Sequence, residues 1–391
     1  MPSTLGEMFS ESASRRLNNN ALGIISSDNK VINESYHSVL CRSEALAGSL
    51  LESGVSKGDR VAIISKNSPS WAKVDLANQL IGAVTVSLYP NSHLEELSAI
   101  LNDSGAKLLF YETSLTEKIQ KLNTKALEQK ISFNEVPSFL KIGRGKSASI
   151  NPSDLSTLCY TSGTTGEPKG VMLTHANIMH NILALNKLNP FRANDVHLSF
   201  LPLSHIFERT IGHYYPLSCG TNIVYSRGLE SLKEDLSIVK PTIFVGVPKV
   251  FEKIYAKVME TAESSKGLKK KLFNSALDFG KEYSGLLSEG KMLSVFDILE
   301  HAFFDKLVYS KIRQIFGGRL RMAITGSAPI SKEVINFYDS VGITLLEGYG
   351  LTETSPVIAA NNLKDRRVGS VGKIFPDVKV KLNAVDGHDV D

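Results

Sequence analysis

Apolar and polar positions in the first third of the chain alternate between two periods. Asp59-Arg60-Val61-Ala62-Ile63-Ile64 reads as a short strand. Pro69 opens a helix in which Trp71, Val74, Ala77 and Leu80 recur at helical spacing. Ala83 to Leu88 has the β-branched content of a second strand, Leu94, Leu97 and Leu101 fit a second helix, and Ala106 to Tyr111 makes a third strand. Strand, helix, strand, helix, strand over some fifty residues implies parallel strands with helices on the sheet faces.

A second such unit runs from about Asp195 to Gly350. Thr242 to Val247 and Arg321 to Thr325 read as buried strands, and Ser331 is placed to cap a helix through Tyr338. Between those strands lies a long lysine-rich helical segment, about Val250 to Phe316. Arg367 to Leu382 alternates as Val-Lys-Val-Lys-Leu at its end and predicts an antiparallel strand. The chain stops at Asp391, just past a turn-like Asp386-Gly387, which suggests a truncated protein.

Composition changes this picture little. At 391 residues several packed layers are expected, and 42% hydrophobic with 21% charged residues is ordinary for a globular protein. A net charge of +4 gives no reason to expect nucleic acid, which wants a concentrated basic face. Cys41, Cys159 and Cys219 are distant and odd in number, against a disulfide framework. The start lacks the apolar core of a signal peptide, and no stretch approaches the roughly 18 apolar residues of a membrane span. A cytoplasmic protein is expected.

The chemistry is carried first by Tyr160-Thr161-Ser162-Gly163-Thr164-Thr165-Gly166-Glu167-Pro168-Lys169-Gly170. Its glycines let backbone approach a ligand, hydroxyls and successive N–H groups can wrap an anion, and Lys169 adds a compact positive charge. The pattern is not a Walker loop. Val171-Met172-Leu173 follows as a strand and Thr174 caps the next helix, so the loop joins two strands and no helix dipole serves it. A second string, Leu345-Leu346-Glu347-Gly348-Tyr349-Gly350-Leu351-Thr352-Glu353-Thr354-Ser355-Pro356, flanks an aromatic ring with glycines and ends on a hydroxyl and a carboxylate. Glu353 suits magnesium, which takes one or two carboxylates plus substrate phosphates, and Thr352 suits an α-phosphate oxygen. Taken alone, the string also fits a helix start capped by Thr352. Gly326-Ser327-Ala328-Pro329 ends a buried strand, where open α/β sheets bind ligands.

The first string, continued as GVMLTHAN, resembles the AMP-binding signature of the adenylate-forming superfamily of acyl-CoA ligases, luciferases and peptide-synthetase adenylation domains. The resemblance implies that Thr161, Ser162, Gly163, Thr164, Thr165, Gly166 and Lys169 hold the β- and γ-phosphates of ATP, with the Thr161 hydroxyl near magnesium. It implies that Gly326, Ser327 and Ala328 contact adenine through main chain, and that Tyr349, between Glu347-Gly348 and Gly350, stacks on the base. Thr352 would then meet the α-phosphate and Glu353 the Mg2+. Leu201-Pro202-Leu203-Ser204-His205-Ile206-Phe207-Glu208-Arg209 matches the family at the acyl-substrate mouth, with His205 there. Ile206-Phe207-Glu208, in place of the Phe-Asp of amino-acid-activating members, favours an acid without an amine.

Pro241 to Lys253 and Phe304 to Arg321 resemble the long-chain fatty-acid–CoA ligase branch, which implies that Val245, Gly246 and Val247 wall an alkyl tunnel. The fold implied is α/β: layered βαβ subdomains with mostly parallel sheets, at about 40–190 and 195–350, plus a smaller antiparallel, barrel-like β subdomain including 367–391. Together, residues 1–391 would form the N-terminal AMP-binding domain, without the family's C-terminal domain and its lysine. The reaction implied is attack of an ionised fatty acid on the α-phosphorus of ATP, then thioester formation with coenzyme A, with Lys169, Thr352, Glu353 and His205 as its catalytic residues. Such chemistry needs charge neutralisation rather than a general base, since the acid is already ionised at neutral pH. Without the C-terminal lysine, adenylation by this chain is expected to be slow.

Other acid–adenylate ligases, for aryl, short-chain or amino acids, and an inert nucleotide- and acyl-binding module stay open. A Rossmann dehydrogenase is disfavoured because no GxGxxG follows a strand. The lysines of Ser265 to Phe273 offer a peripheral contact with the inner face of a membrane, against the plainer reading of a solvated helix face. Oligomeric state is left open.

Overall fold

A computed structural model describes residues 1–140, 148–162, 168–188, 190–288 and 291–382. Of the expected phosphate loop, Gly163, Thr164, Thr165 and Gly166 lie outside the described residues, as do the side chain of Ser162 and the turn at Asp386-Gly387.

Two sheets organise the chain. The smaller holds β3 (Arg60–Ile64), β4 (Val84–Leu88), β5 (Leu108–Tyr111), β6 (Gln129–Ser132), β7 (Leu155–Ser162) and β8 (Pro168–Thr174), in the spatial order β6-β5-β3-β4-β7-β8. All its neighbours are parallel except the β7–β8 hairpin. The larger holds β9 (Val196–Ser199), β10 (Asn222–Tyr225), β11 (Ile243–Gly246), β12 (Met322–Thr325), β13 (Thr344–Gly350), β14 (Val357–Ala360) and β15 (Lys373–Ile374). It is completed by two strands from the beginning of the chain, β1 (Asn20–Ile25) and β2 (Val31–Ser35), in the order β15-β14-β13-β12-β11-β9-β10-β1-β2. The centre from β13 to β1 is parallel, and both edges are antiparallel.

Helices lie between and outside the sheets. The helix Pro69–Ile81 starts where Ser68 Oγ accepts the Trp71 N–H at 3.2 Å, with proline in the first turn where its missing N–H costs nothing. Trp71, Val74 and Leu76 fill the middle layer against Val61 and Ile63 of one sheet and Leu22, Ile223 and Tyr225 of the other. The opposite faces of the same strands pack outward: Ala62 and Ile64 against Leu97 and Leu101, and Val224 against Leu232 and Leu236. Strands covered on both faces explain the uninterrupted apolar runs in the sequence.

The lysine-rich segment is helical but divided into Pro248–Ser264, Leu268–Ser288 and Val295–Phe304, followed by short π-helical and helical pieces to Arg313. Phe251, Ala276, Phe304 and Tyr309 seat it on the outer face of the larger sheet beside Phe244 and Ala323. No helix among the described residues is long and apolar enough to cross a membrane.

One expected element is absent. Arg367 to Leu382 forms strand only at Lys373–Ile374, which pairs with β14. Pro376, without an N–H for a ladder, and Asp377 at φ 65° turn the chain after Phe375, so the Val-Lys-Val-Lys-Leu alternation has no strand to complete. The only antiparallel pairs there within the described residues are β13–β14 and β14–β15, which extend the larger sheet and form no separate barrel.

Candidate active site

The candidate site lies at the carboxyl ends of β12 and β13, where parallel strands bind ligands in α/β sheets. Thr325 and Glu347 are register partners there, and Gly326 and Gly348 follow them. Beyond Gly350 the chain reverses into β14, with a register shift between Tyr349 and Gly350. The reversal requires glycine, because a Cβ on Gly350 would stand 1.7 Å from the Pro356 carbonyl oxygen.

Between β13 and β14 stands one 3-10 turn, Thr352–Thr354. Thr354, not Thr352, closes it: its Oγ1 accepts the Leu351 N–H at 2.9 Å and reaches the Pro356 oxygen at 2.7 Å. No helix continues from this turn. The Thr352 hydroxyl and Glu353 carboxylate therefore have no hydrogen-bond or ion-pair partner among the described residues, and Glu353 is exposed. Asn181 anchors the turn from the helix His175–Leu188. Its Nδ2 donates to the Thr354 oxygen at 3.1 Å and its Oδ1 accepts the Val357 N–H at 2.9 Å. Thr210 adds a hydroxyl bond to the Ser355 oxygen at 3.1 Å.

The phosphate-loop strands arrive as the β7–β8 hairpin, with Thr161 opposite Lys169. Thr174 Oγ1 accepts the Asn177 N–H at 3.2 Å and caps the next helix, so that helix begins at the far end of β8 from the loop. Lys169 is exposed on the hairpin.

His205 enters from the turn after β9. Its Nδ1 accepts the Phe207 N–H at 3.1 Å. His205 is exposed at the cavity, and partial desolvation by the surrounding protein, reinforced by the Arg209 charge and opposed by Glu208, lowers its pKa from the ordinary histidine value. In its neutral form the imidazole, accepting at Nδ1, carries its proton on Nε2.

These pieces enclose one cavity of about 370 Å³. Thr161, His205, Gly326, Ser327, Glu347, Gly348, Tyr349, Gly350, Thr352 and Glu353 all line it, although they come from three distant parts of the sequence. The same cavity is also lined by the apolar side chains of Leu185, Leu188, Phe207, Ile211, Ile324 and Leu346. Glu347 is among the lining residues; burial raises its pKa, opposed by the Ile330 N–H.

Some expected residues are elsewhere. Lys169 and Ala328 are exposed and outside the cavity lining. Val245, Gly246 and Val247 are not in the lining either. Val245 is wholly buried in the core, and the Phe251 and Phe244 rings cover Gly246. An apolar strand next to the site-bearing β12 carries the same signature whether it lines a tunnel or fills a core. Sequence reasoning also missed Asn181, Asn361 and the helix residues Leu185 and Leu188. The one available signal was an asparagine set within the apolar stripe Ile178, Ile182 and Leu185.

The donors fit magnesium. A carboxylate without a protein partner among the described residues and a hydroxyl, Glu353 and Thr161, both line this cavity and offer the hard oxygens it prefers, leaving further positions for phosphate oxygens. No group of three His, Cys, Asp or Glu among the described residues makes a metal cage.

The fold and cavity define a nucleotide-scale site at strand ends, and comparison places it in a family. The model of the AMP-binding enzyme family matches residues 9–391, and the chain belongs to that family. Among curated relatives it is 35% identical over 362 residues to the long-chain-fatty-acid–CoA ligase FadD15 of Mycobacterium bovis, covering 88% of this chain and 60% of the relative. It is 33% identical over 368 residues to the peroxisomal long chain acyl-CoA synthetase 6 of Arabidopsis thaliana, covering 86% of this chain and 50% of that protein. The chain thus spans between half and two thirds of these relatives' length. Among solved structures, a Mycobacterium tuberculosis fatty acyl CoA synthetase superposes with a TM-score of 0.75 at 20% identity, covering 99% of this chain and 67% of that one. The inhibitor-bound N-terminal domain of FACL13 from the same organism gives 0.72 at 20% identity, over 95% and 82%.

Proposed function

We propose that this chain binds Mg-ATP and a long-chain fatty acid and joins them as an acyl-adenylate, which in the whole protein passes to coenzyme A. The observation that carries this reading is a single cavity lined both by polar groups, among them Thr161, His205, Thr352 and Glu353, and by apolar side chains such as Leu185, Ile211 and Leu346. Tyr349, half exposed in the cavity, offers a face for adenine, and Gly326-Ser327 a main-chain edge beside it. The phosphates would run toward Thr161 and the β7–β8 loop, with Lys169 among their partners. Magnesium bound by Glu353 and Thr161 would neutralise charge on the departing pyrophosphate. The alkyl chain would follow the apolar side chains. The Nε2–H of a neutral His205 can donate to the carboxylate or to the acyl oxygen. In this reading residues 1–391 are the substrate-binding domain, with βα subdomains at about 40–190 and 195–350.

Carboxylate-dependent exchange of labelled pyrophosphate into ATP tests it, with acids from acetate to oleate. Exchange rising with chain length is the expected outcome. Exchange confined to aryl or short acids would replace the fatty acid but keep the adenylation. Failure to bind AMP or an acyl-adenylate analogue would overturn both.

The reading extends to a peripheral contact with an anionic bilayer, where fatty acids reside. Lys269, Lys270 and Lys271 are exposed at the start of the helix Leu268–Ser288, and the adjoining helix Val295–Phe304 turns Phe296, Leu299 and Phe303 to solvent. Flotation with vesicles containing anionic lipid is expected for the chain and not for the variant with all three lysines changed to glutamate. Equal flotation of both would end this extension.

A further inference from the structure

Arg209 is wholly buried and lies in a π-helical segment, Glu208–Tyr214. Its guanidinium binds three separate elements. Nε donates to the Leu203 oxygen at 2.9 Å and Nη2 reaches the Ser204 oxygen at 3.4 Å, in the turn that presents His205. Nη2 also donates to Ser87 Oγ on β4, and Nη1 donates to Thr157 Oγ1 on β7 at 2.7 Å. Ser87 Oγ in turn donates to the Ser204 oxygen at 3.1 Å, while Ser204 Oγ donates to the Leu88 oxygen at 2.8 Å. Trp71 covers the charge, with the guanidinium carbon 5.4 Å from its ring centroid.

A wholly buried arginine is an expensive way to tie a fold together, since packed apolar groups often serve as well or better. What a planar fork adds is direction to several acceptors at once. The strand Arg209 grips is the one whose end, four residues on, puts Thr161 into the cavity, and the turn it grips puts His205 there. We infer that Arg209 is a positioning residue, holding the acyl-side turn around His205 at a fixed distance from the phosphate-loop strand β7. Because misplacement by about an ångström can cost a hundredfold in rate, such a link between the two ends of one cavity has catalytic weight. The inference rests on the functional reading above for its consequence, but its geometry can be tested apart from it.

The test pairs two variants, Arg209→Lys and Ser87→Ala, with two readouts. Lysine keeps the charge and loses the fork; alanine removes one link and leaves the arginine. With histidines labelled by ¹⁵N and His205 assigned from a His205→Gln spectrum, the parent chain should show the Nε2–H form. Both variants should move that signal toward mixed tautomers. In calorimetry, AMP affinity should stay within about twofold, while that of a lauroyl sulfamate of adenosine should fall about tenfold or more, as the turn loses its place. Unchanged imidazole signals in a folded variant would overturn the inference, as would equal losses for both ligands. If Arg209→Lys does not fold, Ser87→Ala decides. If the parent chain binds neither ligand, the functional reading falls, and the imidazole signals alone judge the positioning role.

Discussion

The Phe207 backbone N–H donates to Nδ1 of His205 at 3.1 Å, and one hydrogen bond thereby sets which nitrogen meets the cavity. A neutral histidine so held presents Nε2–H to the cavity as a donor, because Nδ1 is taken up as an acceptor. His205→Ala is expected to lower acid-dependent pyrophosphate exchange by about a hundredfold, the typical cost of one aimed donor, with little change in Mg-ATP affinity. Between pH 7 and 9 the exchange rate should show no inflection that His205→Ala removes.

Asn181 carries two bonds to the turn that presents Thr352 and Glu353. Asn181→Ala should reduce stability by about 2 kcal/mol, since the Thr354 carbonyl and Val357 amide both lose a partner. It should also weaken binding of AMP. Urea unfolding and calorimetry measure the two effects. Asn181→Asp keeps the acceptor and should retain the Val357 bond alone, giving an intermediate result.

Glu353 is free of protein partners among the described residues, so its removal should cost ligand binding and not stability. Glu353→Gln is expected to abolish the difference between ATP affinity with and without magnesium while leaving the melting temperature within about a degree. An unchanged magnesium dependence would remove Glu353 from the site.

Acid should destabilise the protein through its buried imidazoles. Burial pushes His213 down to about 3, with repulsion from Arg209 and His197 adding to it, and burial pushes His175 down to about 4. Protons therefore favour the unfolded chain, where both titrate near 6.5, so their contribution is fully present above that value and is lost as pH falls from 6.5 toward 3 to 4. At pH 5 each should have cost about 2 kcal/mol. Urea unfolding at pH 7 and pH 5 should show a smaller difference in His213→Gln than in the parent chain.

The sequence disclosed the parallel strands because burial on both faces leaves continuous apolar runs, as in Val61 to Ile64, and because Ser68 and Ser331 mark the starts of helices that follow two of them. It disclosed the strand–loop–strand form of the phosphate segment because Val171-Met172-Leu173 cannot begin a helix capped at Thr174. The cavity-lining glycines and hydroxyls from Thr161 to Glu353 were legible for a related reason: close approach and polar exposure restrict residue type. The apolar part of the lining was not legible. Leu185 and Ile211 look like any other core residue until helix packing shows which side is open. Nor was the Arg209 network, because a lone arginine in Glu208-Arg209-Thr210 carries no periodicity, and two of its acceptors, Thr157 and Ser87, lie more than fifty residues away. The alternation at Val378 to Leu382 misled because period two records exposure on two sides, whereas a strand also needs an open edge to join.

The hairpin β1–β2 joins the larger sheet through β10, with Leu22 opposite Ile223. During synthesis these strands must wait for about two hundred further residues before their partner exists. Until then an apolar ribbon is unpaired, a stage at which a nascent chain is open to chaperones and to misassociation. Once folded, the hairpin makes β2, with its polar Asn33 and Glu34, the edge of the sheet among the described residues; removing residues 1–35 would shift that edge to the buried, apolar β10, a better template for aggregation.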